Sequence, residues 1–424
     1  MADRAELTAP RAAIVASGSE LVRGDRHDRN GPYLASSLLQ LGIEPARITL
    51  VGDGEADLEQ TLREGLAFDL LCVSGGLGPT HDDRTIELLA RAAGVTLHVD
   101  AELATQIEAL SRRVAERLGR PYTDFAHGVT KQATLPAGAL WIGLVGTAPA
   151  VVLEVGTCVV VALPGPPREL QELWPRVLES EPLQRLRART RAPERRVLRF
   201  YGVSESAVAQ ALAAAGGDGD GVEVTICARE TEIHVDLFVA PGADPRADEL
   251  EAKLLEPVAR HLFSREEIET PALVLELLRE RGLTLATAES CTGGLVASRL
   301  TAIPGSSDVF LGSIVAYSNS VKAAQLGVPE EILGTFGAVS AETAAAMAEG
   351  ARKRLGADVA VSVTGVAGPG GGTPDKPVGL VFIHAAGPQG ERRLRLDFPG
   401  DRDTIRGRAT VAALHLVRRL VTES

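Results

Sequence analysis

Two glycine-rich turns, each following an apolar run, carry the residues that could do chemistry in this chain. The first is Ala288-Glu289-Ser290-Cys291-Thr292-Gly293-Gly294, placed between a strand reading at Leu283 to Ala286 and a helix reading at Leu295 to Leu300. Such a turn sets hydroxyl and thiol groups at a helix N-terminus, where backbone N–H groups can receive developing negative charge. Gly293 and Gly294 let the backbone approach a ligand with no Cβ in the way. Tyr317-Ser318-Asn319 and Lys322 follow, and then a second loop, Val363-Thr364-Gly365-Val366-Ala367-Gly368-Pro369-Gly370-Gly371-Gly372. A hydroxyl nucleophile, a tyrosine, an amine base and two cradling loops point to acyl transfer or amide hydrolysis. Read alone, Ser290 could equally be a helix N-cap. Cys291 is a rival nucleophile, since thiolates attack readily, but no histidine lies close to it in sequence.

A second candidate site lies near the other end of the chain. Gly75-Gly76-Leu77-Gly78-Pro79-Thr80-His81-Asp82-Asp83-Arg84-Thr85 follows a strand reading at Leu70 to Ser74. Its glycines form a backbone cradle, and a helix starting near Arg84 would offer N–H groups to a phosphate. Asp82 and Asp83 cannot bind phosphate themselves, but their oxygens suit a divalent cation that does. The alternative is that one of them caps the helix and the other faces solvent.

The elements that must position these loops alternate strand and helix. Apolar runs at Ala12 to Ala16, Ile48 to Val51 and Leu70 to Ser74 enclose helical spacings at Tyr33 to Leu41 and Leu58 to Leu66. That alternation predicts an α/β fold with a doubly wound, mainly parallel sheet, whose ligands lie beyond the carboxyl ends of the strands. Leu103 to Leu118 reads as an amphipathic helix, and Val151 to Leu163 as a hairpin around Gly156. From about Glu181 the pattern becomes a small α+β unit, with a strand at Val197 to Tyr201, a serine-capped helix at Ser204 to Ala214 and two alternating strands at Glu223 to Ala228 and Glu232 to Val239. From Thr270-Pro271 an α/β alternation resumes. The expected domains are residues 1–180, 181–268 and 269–424.

Composition narrows the function classes. The 424 residues carry a net charge of −12, which argues against a nucleic-acid surface as the main function, because a phosphate backbone wants a basic face. The arginines between Arg185 and Arg199 read as a solvated inter-domain segment. No apolar run approaches the length that spans a bilayer, and Asp3, Arg4 and Glu6 interrupt any signal-like start, so a cytoplasmic location is expected. The four cysteines are widely separated with no CxxC pair, which argues against a zinc or disulfide framework; Cys72, Cys158 and Cys227 lie in apolar runs and are expected to be buried.

The motifs of the C-terminal third closely resemble the C-terminal domain of the CinA (competence/damage-inducible protein) family, a nicotinamide mononucleotide deamidase domain. The N-terminal loop resembles the signature of the molybdopterin-binding fold, and more closely the N-terminal CinA domain. Gly18-Ser19-Glu20-Leu21, Asp28-Arg29-Asn30, Val51-Gly52-Asp53, Gly146-Thr147-Ala148-Pro149 and Leu163-Pro164-Gly165-Pro166-Pro167-Arg168-Glu169 fit as well. The resemblance implies a catalytic set of Ser290, Tyr317 and Lys322. It places Glu289, Thr292, Gly293, Gly294, Thr364, Gly365, Gly368 and Arg406 around the substrate, with Arg402 as the alternative to Arg406 at the phosphate. Lys322 would be the base, Tyr317 would orient Ser290 or relay a proton, and N–H groups near Thr292 and Gly293 would hold the oxyanion. Glu289 is expected as a supporting acceptor, and Lys376 as a residue shaping the second loop.

For the N-terminal domain the resemblance implies ADP-ribose pyrophosphatase activity with a divalent cation. Gly75, Gly76, Gly78, Thr80, Thr85 and Asp53 would meet the nucleotide, and Asp82 and Asp83 the metal. Deamidation needs no cofactor. Small nucleotides are the expected partners, without membrane or direct nucleic-acid contact, and a homodimer is implied. The chain departs from the family where Ser19 replaces an acid, Val129 stands near a common asparagine, and Ala150 replaces a glycine. These changes favour an N-terminal domain that binds nucleotide without cleaving it. A regulatory role in competence or DNA repair, and a molybdopterin-handling role, are the competing readings.

Overall fold

The computed structural model describes residues 9–190 and 192–423, and the start read at Asp3, Arg4 and Glu6 lies outside them. The chain divides into two compact units, Met1–Arg195 with Val239–Gly242, and Arg196–Phe238 with Ala243–Ser424.

The first unit is built on a six-stranded sheet of order β2-β1-β3-β8-β7-β6. Its strands are β1 (Arg11–Ser17), β2 (Glu44–Val51), β3 (Leu70–Ser74), β6 (Leu140–Leu144), β7 (Pro149–Val155) and β8 (Cys158–Leu163), while β4 (Leu97–Val99) pairs with β5 (Thr134–Pro136) in a separate ribbon. The strands β2, β1, β3 and β8 run parallel, and β7 and β6 add an antiparallel edge. Strands β3 and β8 are buried along their whole length, as continuous apolar runs covered on both faces must be. One face packs under the helices Asn30–Gln40 and Pro167–Leu178, the other under Glu55–Gly65 and Thr85–Ala93.

The segment expected as a separate domain at 181–268 is shared between the units. Its first helix, Glu181–Arg187, packs in the core of the first unit. Its four-stranded sheet, of order β10-β11-β9-β12, belongs to the second. The strands are β9 (Glu194–Tyr201), β10 (Val222–Arg229), β11 (Glu232–Val239) and β12 (Leu262–Ser264). Cys227 corrects the reading of the cysteines: it is exposed, because β10 is an edge strand that covers little core.

The remainder of the second unit is a three-layer α/β/α sandwich around a sheet of order β14-β13-β15-β16-β17. Strands β13 (Leu285–Glu289), β14 (Phe310–Val315) and β15 (Val359–Gly365) are parallel, whereas β16 (Leu380–Gly387) and β17 (Gly390–Asp397) are antiparallel. Residues Val359, Val361 and Val363 of β15 face the helices Thr270–Glu280, Leu295–Thr301 and Arg402–Thr422. Ala286 and Ala288 of β13 face Ala341–Leu355 on the other side. Both candidate loops leave the carboxyl ends of adjacent parallel strands, β13 and β15, where ligands of such sheets bind.

Candidate active site

Period-two alternation along β13 decides the role of Glu289. Thr287 and Glu289 point to the face that receives the helix Leu295–Thr301, and both are fully buried. The Glu289 carboxylate accepts from the backbone N–H groups of Gly294 (2.9 Å), Val296 (3.1 Å) and Ala297 (2.9 Å) and from the hydroxyls of Thr287 and Ser313, each at 3.3 Å. Grouped with the substrate contacts by sequence, it is instead the cap of the helix and the anchor of the turn. Glu289→Ala should lower unfolding free energy by about 3 kcal/mol, because three N–H groups at the start of the helix, one of them fully buried, lose their acceptor; denaturant titration measures this, and an unchanged midpoint contradicts it. The sequence already held the signal, Thr287 two residues before Glu289 in a buried strand, while Ser313 reaches it only through sheet pairing.

The turn itself leaves Ser290 8 % exposed. Gly293 (φ +62°) and Gly294 (φ +94°) adopt the left-handed conformation that glycine tolerates. The Gly293 N–H donates to the Ser290 carbonyl, which takes it away from the oxyanion role expected of it. Among the described residues no backbone carbonyl takes the N–H of Cys291 or Thr292; both face the Cys291 sulfur, and of the turn's N–H groups they are the ones a developing oxyanion could draw on.

Lys322, in the helix Asn319–Leu326, is 1 % exposed and places Nζ 3.0 Å from Ser290 Oγ. The carbonyls of Ala316 (2.9 Å) and Tyr317 (3.2 Å) accept from the same nitrogen. No carboxylate pairs with it among the described residues, and burial pushes its pKa below the ordinary lysine value. Nζ can donate to all three oxygens as an ammonium; as a neutral amine it would keep two N–H donors for the carbonyls and turn its lone pair to the Ser290 hydroxyl. The site can therefore activate Ser290. Cys291 is buried, and burial raises its thiol to about 11, so at neutral pH it is a poor rival.

Tyr317 is placed differently from the expectation. Its ring is 63 % exposed, and its hydroxyl accepts from Arg402 Nη2 at 3.0 Å, with no hydrogen bond to Ser290. Only its backbone carbonyl touches the Ser290–Lys322 pair, through Lys322. Arg402 also donates from Nη1 to the Gly368 carbonyl at 2.8 Å, and Arg406 donates from Nη2 to the Thr292 carbonyl at 2.9 Å. The two arginines stand four residues apart in the first turns of Arg402–Thr422, on one helix face. The structure thus brings both to the loops that sequence had offered as alternatives. Asp401 caps that helix by accepting from Thr404 N–H.

Thr364 is buried and its hydroxyl donates to the Ala338 carbonyl, so it secures the loop before Ser340. Gly365 ends β15 where a Cβ would lie 2.7 Å from the Leu380 carbonyl oxygen. Lys376 donates to the Phe336 carbonyl at 2.6 Å and pins the far side of the second loop, as expected of it.

In the first unit a cavity of about 840 Å³ opens at the carboxyl ends of β1, β3 and β8. Gly75, Gly76, Gly78, Asp53, Asp82 and Asp83 line it. Thr85 does not: its buried hydroxyl donates to the Gly75 carbonyl at 2.8 Å, behind the cradle. Thr80 also stays off the wall and donates its hydroxyl to both Asp82 and Asp83. The glycines are demanded from behind, since a Cβ on Gly75 would lie 2.3 Å from Ser17 O and one on Gly76 2.2 Å from Thr85 Oγ1. Asn30, from the Asp28-Arg29-Asn30 stretch that fits the family, and Ser74, not named as a site residue, sit between the loops; Asn30 Nδ2 donates to Ser74 Oγ and to Gly165 O, each at 2.7 Å. Among the described residues no group of three or more His, Cys, Asp or Glu gathers as a metal site.

Residues 268–421 match the family described as CinA C-terminal domain, and residues 13–185 match the probable molybdopterin binding domain. A CinA-like protein of Mycobacterium avium (strain 104) is 43 % identical over 435 residues, covering 98 % of this chain and 99 % of its own. The chain belongs to the CinA family. A CinA-like protein of Mycolicibacterium vanbaalenii is 42 % identical over 97 % of this chain and 99 % of its own. Among solved structures, the competence/damage inducible protein CihA of Agrobacterium tumefaciens is 43 % identical, covering 36 % of this chain and 93 % of that one at a TM-score of 0.35. The competence damage-inducible protein A of Klebsiella pneumoniae is 34 % identical, covering 37 % and 97 % at the same TM-score.

The departures from the CinA pattern have local physical settings. Ser19 donates its backbone N–H to Asp53 Oδ2 (2.9 Å) while its hydroxyl accepts from Asp53 N–H (3.3 Å), a reciprocal pair that holds the loops after β1 and β2 together. Val129 packs with Leu77 and Leu103 in the core, and Ala150 is fully buried opposite Gly143. No helix among the described residues is long and apolar enough to cross a membrane.

Proposed function

We propose that the second unit hydrolyses the carboxamide of nicotinamide mononucleotide to nicotinate mononucleotide and ammonia. The observation that carries this is the 3.0 Å approach of a buried, carboxylate-free Lys322 to Ser290. Ser290 Oγ attacks the amide carbon as its proton passes to Lys322 Nζ. The N–H groups of Cys291 and Thr292 receive the oxyanion, each worth about 3 kcal/mol in comparable sites. The C–N bond breaks as Lys322 returns the proton to the leaving nitrogen, which departs as ammonia. Water then attacks the nicotinyl ester, again giving a proton to Lys322, and Ser290 is restored. Nothing in these steps calls for a metal.

Arg402 and Arg406 supply planar donors suited to the 5′-phosphate. Tyr317, held by Arg402, borders the same space. Arg402→Ala and Arg406→Ala should each raise KM for the mononucleotide by about tenfold to a hundredfold, the worth of a hydrogen bond to a charged group. The effect on nicotinamide riboside, which lacks the phosphate, should be several-fold smaller; an equal effect on both would remove the phosphate role. The test of the function is ammonia release from the mononucleotide by the full chain in the presence of a chelator. Absence of release from folded protein contradicts it.

For the first unit we propose nucleotide binding in the 840 Å³ cavity. Asp82 and Asp83 reach its wall and would hold a divalent cation together with ligand phosphates, in the way magnesium is bound through one or two carboxylates. The replacement of an acid by Ser19 favours binding over pyrophosphate cleavage.

A further inference from the structure

The turn between β10 and β11 is strained and reaches into the helices that carry the active site. Glu230 (φ +50°) and Thr231 (φ +85°) occupy the left-handed region without being glycine. Glu230 pairs through both carboxylate oxygens with Arg299, at 2.6 Å for Nη2, in the helix Leu295–Thr301 that follows the Ser290 turn. Glu232 enters the neighbouring layer. Its Oε1 accepts from His415 Nε2 at 2.8 Å and from the Thr270 hydroxyl at 2.5 Å, and its Oε2 lies 3.3 Å from His234 Nε2.

His415 is fully buried and enclosed by three strands of the small sheet. Its ring stacks on Tyr201 of β9 with centroids 3.7 Å apart, meets Phe263 of β12 edge-on at 4.7 Å, and donates to Glu232 of β11. Arg418 Nε donates to His415 Nδ1 at 3.3 Å. With one ring nitrogen donating and the other accepting, the imidazole is neutral and its tautomer is fixed. Burial works against the Glu232 charge, but the bonds from His234, His415 and Thr270 outweigh it and hold the carboxyl below the ordinary glutamate range. His415 and the two arginines share the helix Arg402–Thr422, which is buried along most of its length. At 1.5 Å per residue, the imidazole lies about 13 Å along the axis from Arg406 and about 20 Å from Arg402.

We infer that Glu232 is a positioning residue for the deamidase site: by gripping His415 it fixes where the helix Arg402–Thr422 presents Arg402 and Arg406 to the two loops, while Glu230 steadies the helix after Ser290. The small sheet is in this view a jig for the site. The kinetic part rests on the deamidase reading above.

The experiment compares full-length wild type with Glu232→Ala and Glu232→Gln. Glu232→Ala should raise KM for nicotinamide mononucleotide by about tenfold with kcat within about twofold, as displaced binding groups do. Its loss of kcat/KM for nicotinamide riboside should be several-fold smaller, since that substrate lacks the phosphate the arginines are proposed to meet. Glu232→Gln keeps an acceptor oxygen for His415 and should restore KM to within about twofold of wild type. Equal losses on both substrates, a fall in kcat at unchanged KM, or no change in Glu232→Ala overturn the inference. Amide hydrogen exchange in the same samples is independent of substrate. Faster exchange at residues 402–408 in Glu232→Ala, with residues 12–16 unchanged, supports it, and identical exchange overturns it. If wild type does not deamidate the mononucleotide, the function reading fails and the exchange result alone decides the positioning role.

Discussion

Ser290→Ala protein is expected to lose deamidation of nicotinamide mononucleotide by a factor of about 10⁴ or more, because removing a nucleophile removes the covalent path and leaves only binding and oxyanion contacts. The fold should not suffer. Among the described residues the Ser290 hydroxyl is bound only to Lys322, and its backbone N–H and carbonyl, which bond to Val363 and Gly293, are retained in alanine. Binding of the mononucleotide, followed by calorimetry, should therefore persist. Residual turnover within a hundredfold of wild type would remove Ser290 from the mechanism. Transfer of the role to Cys291 would reveal itself as iodoacetamide-sensitive activity. The buried thiol, held up at about 11, argues against that outcome.

The second large effect belongs to Lys322. Lys322→Met should cost about 10³-fold in kcat, within the range for loss of a general base. The more diagnostic result is the pH profile of wild type. Only the neutral amine accepts the Ser290 proton, so below the lysine pKa the rate should fall tenfold per pH unit. Burial lowers that pKa below 10.5, which brings the plateau to lower pH than an exposed lysine would allow. Lys322→Met should abolish that limb. The same shift has a sign for stability. Between the lowered folded pKa and 10.5 the unfolded chain holds the extra proton, so unfolding free energy rises with pH across that window. Wild type should show this rise relative to Lys322→Met, and a profile with no limb in wild type would contradict a neutral-amine base.

Much of the architecture was legible because hydrophobic periodicity and turn residues are local. The strand read at Leu70 to Ser74 and the hairpin around Gly156 appear as β3 and as β7 with β8. The serine cap read at Ser204 is present, accepting from Ala207 N–H. Element types, loop positions and the pairing of glycines with chemical residues follow from neighbours in the chain. Partition is not local: the segment at 181–268 was legible as α+β, but which core each piece joins depends on distant faces. Cys227 was misread for the same reason, since an apolar run says nothing about whether its strand lies at an edge.

At the candidate site, the residue types and the proximity of the two loops came from sequence and resemblance, while the roles came from the third dimension. Ser290 and Lys322 are thirty-two residues apart, and their 3.0 Å contact exists because β13 and the helix Asn319–Leu326 meet at one end of the sheet. Glu289 became a cap because a strand alternates its side chains and the helix Leu295–Thr301 lies on the side it faces. Tyr317 went to Arg402 and not to Ser290, and both arginines of the last helix reached the loops, because i and i+4 share a helix face. By itself the sequence determined which groups are present and on which kind of element. Only the tertiary structure decided which of them meet, how deeply they are buried and therefore how they are charged. Hydrogen-bond geometry and desolvation are properties of packed neighbours, and those neighbours are distant in the chain.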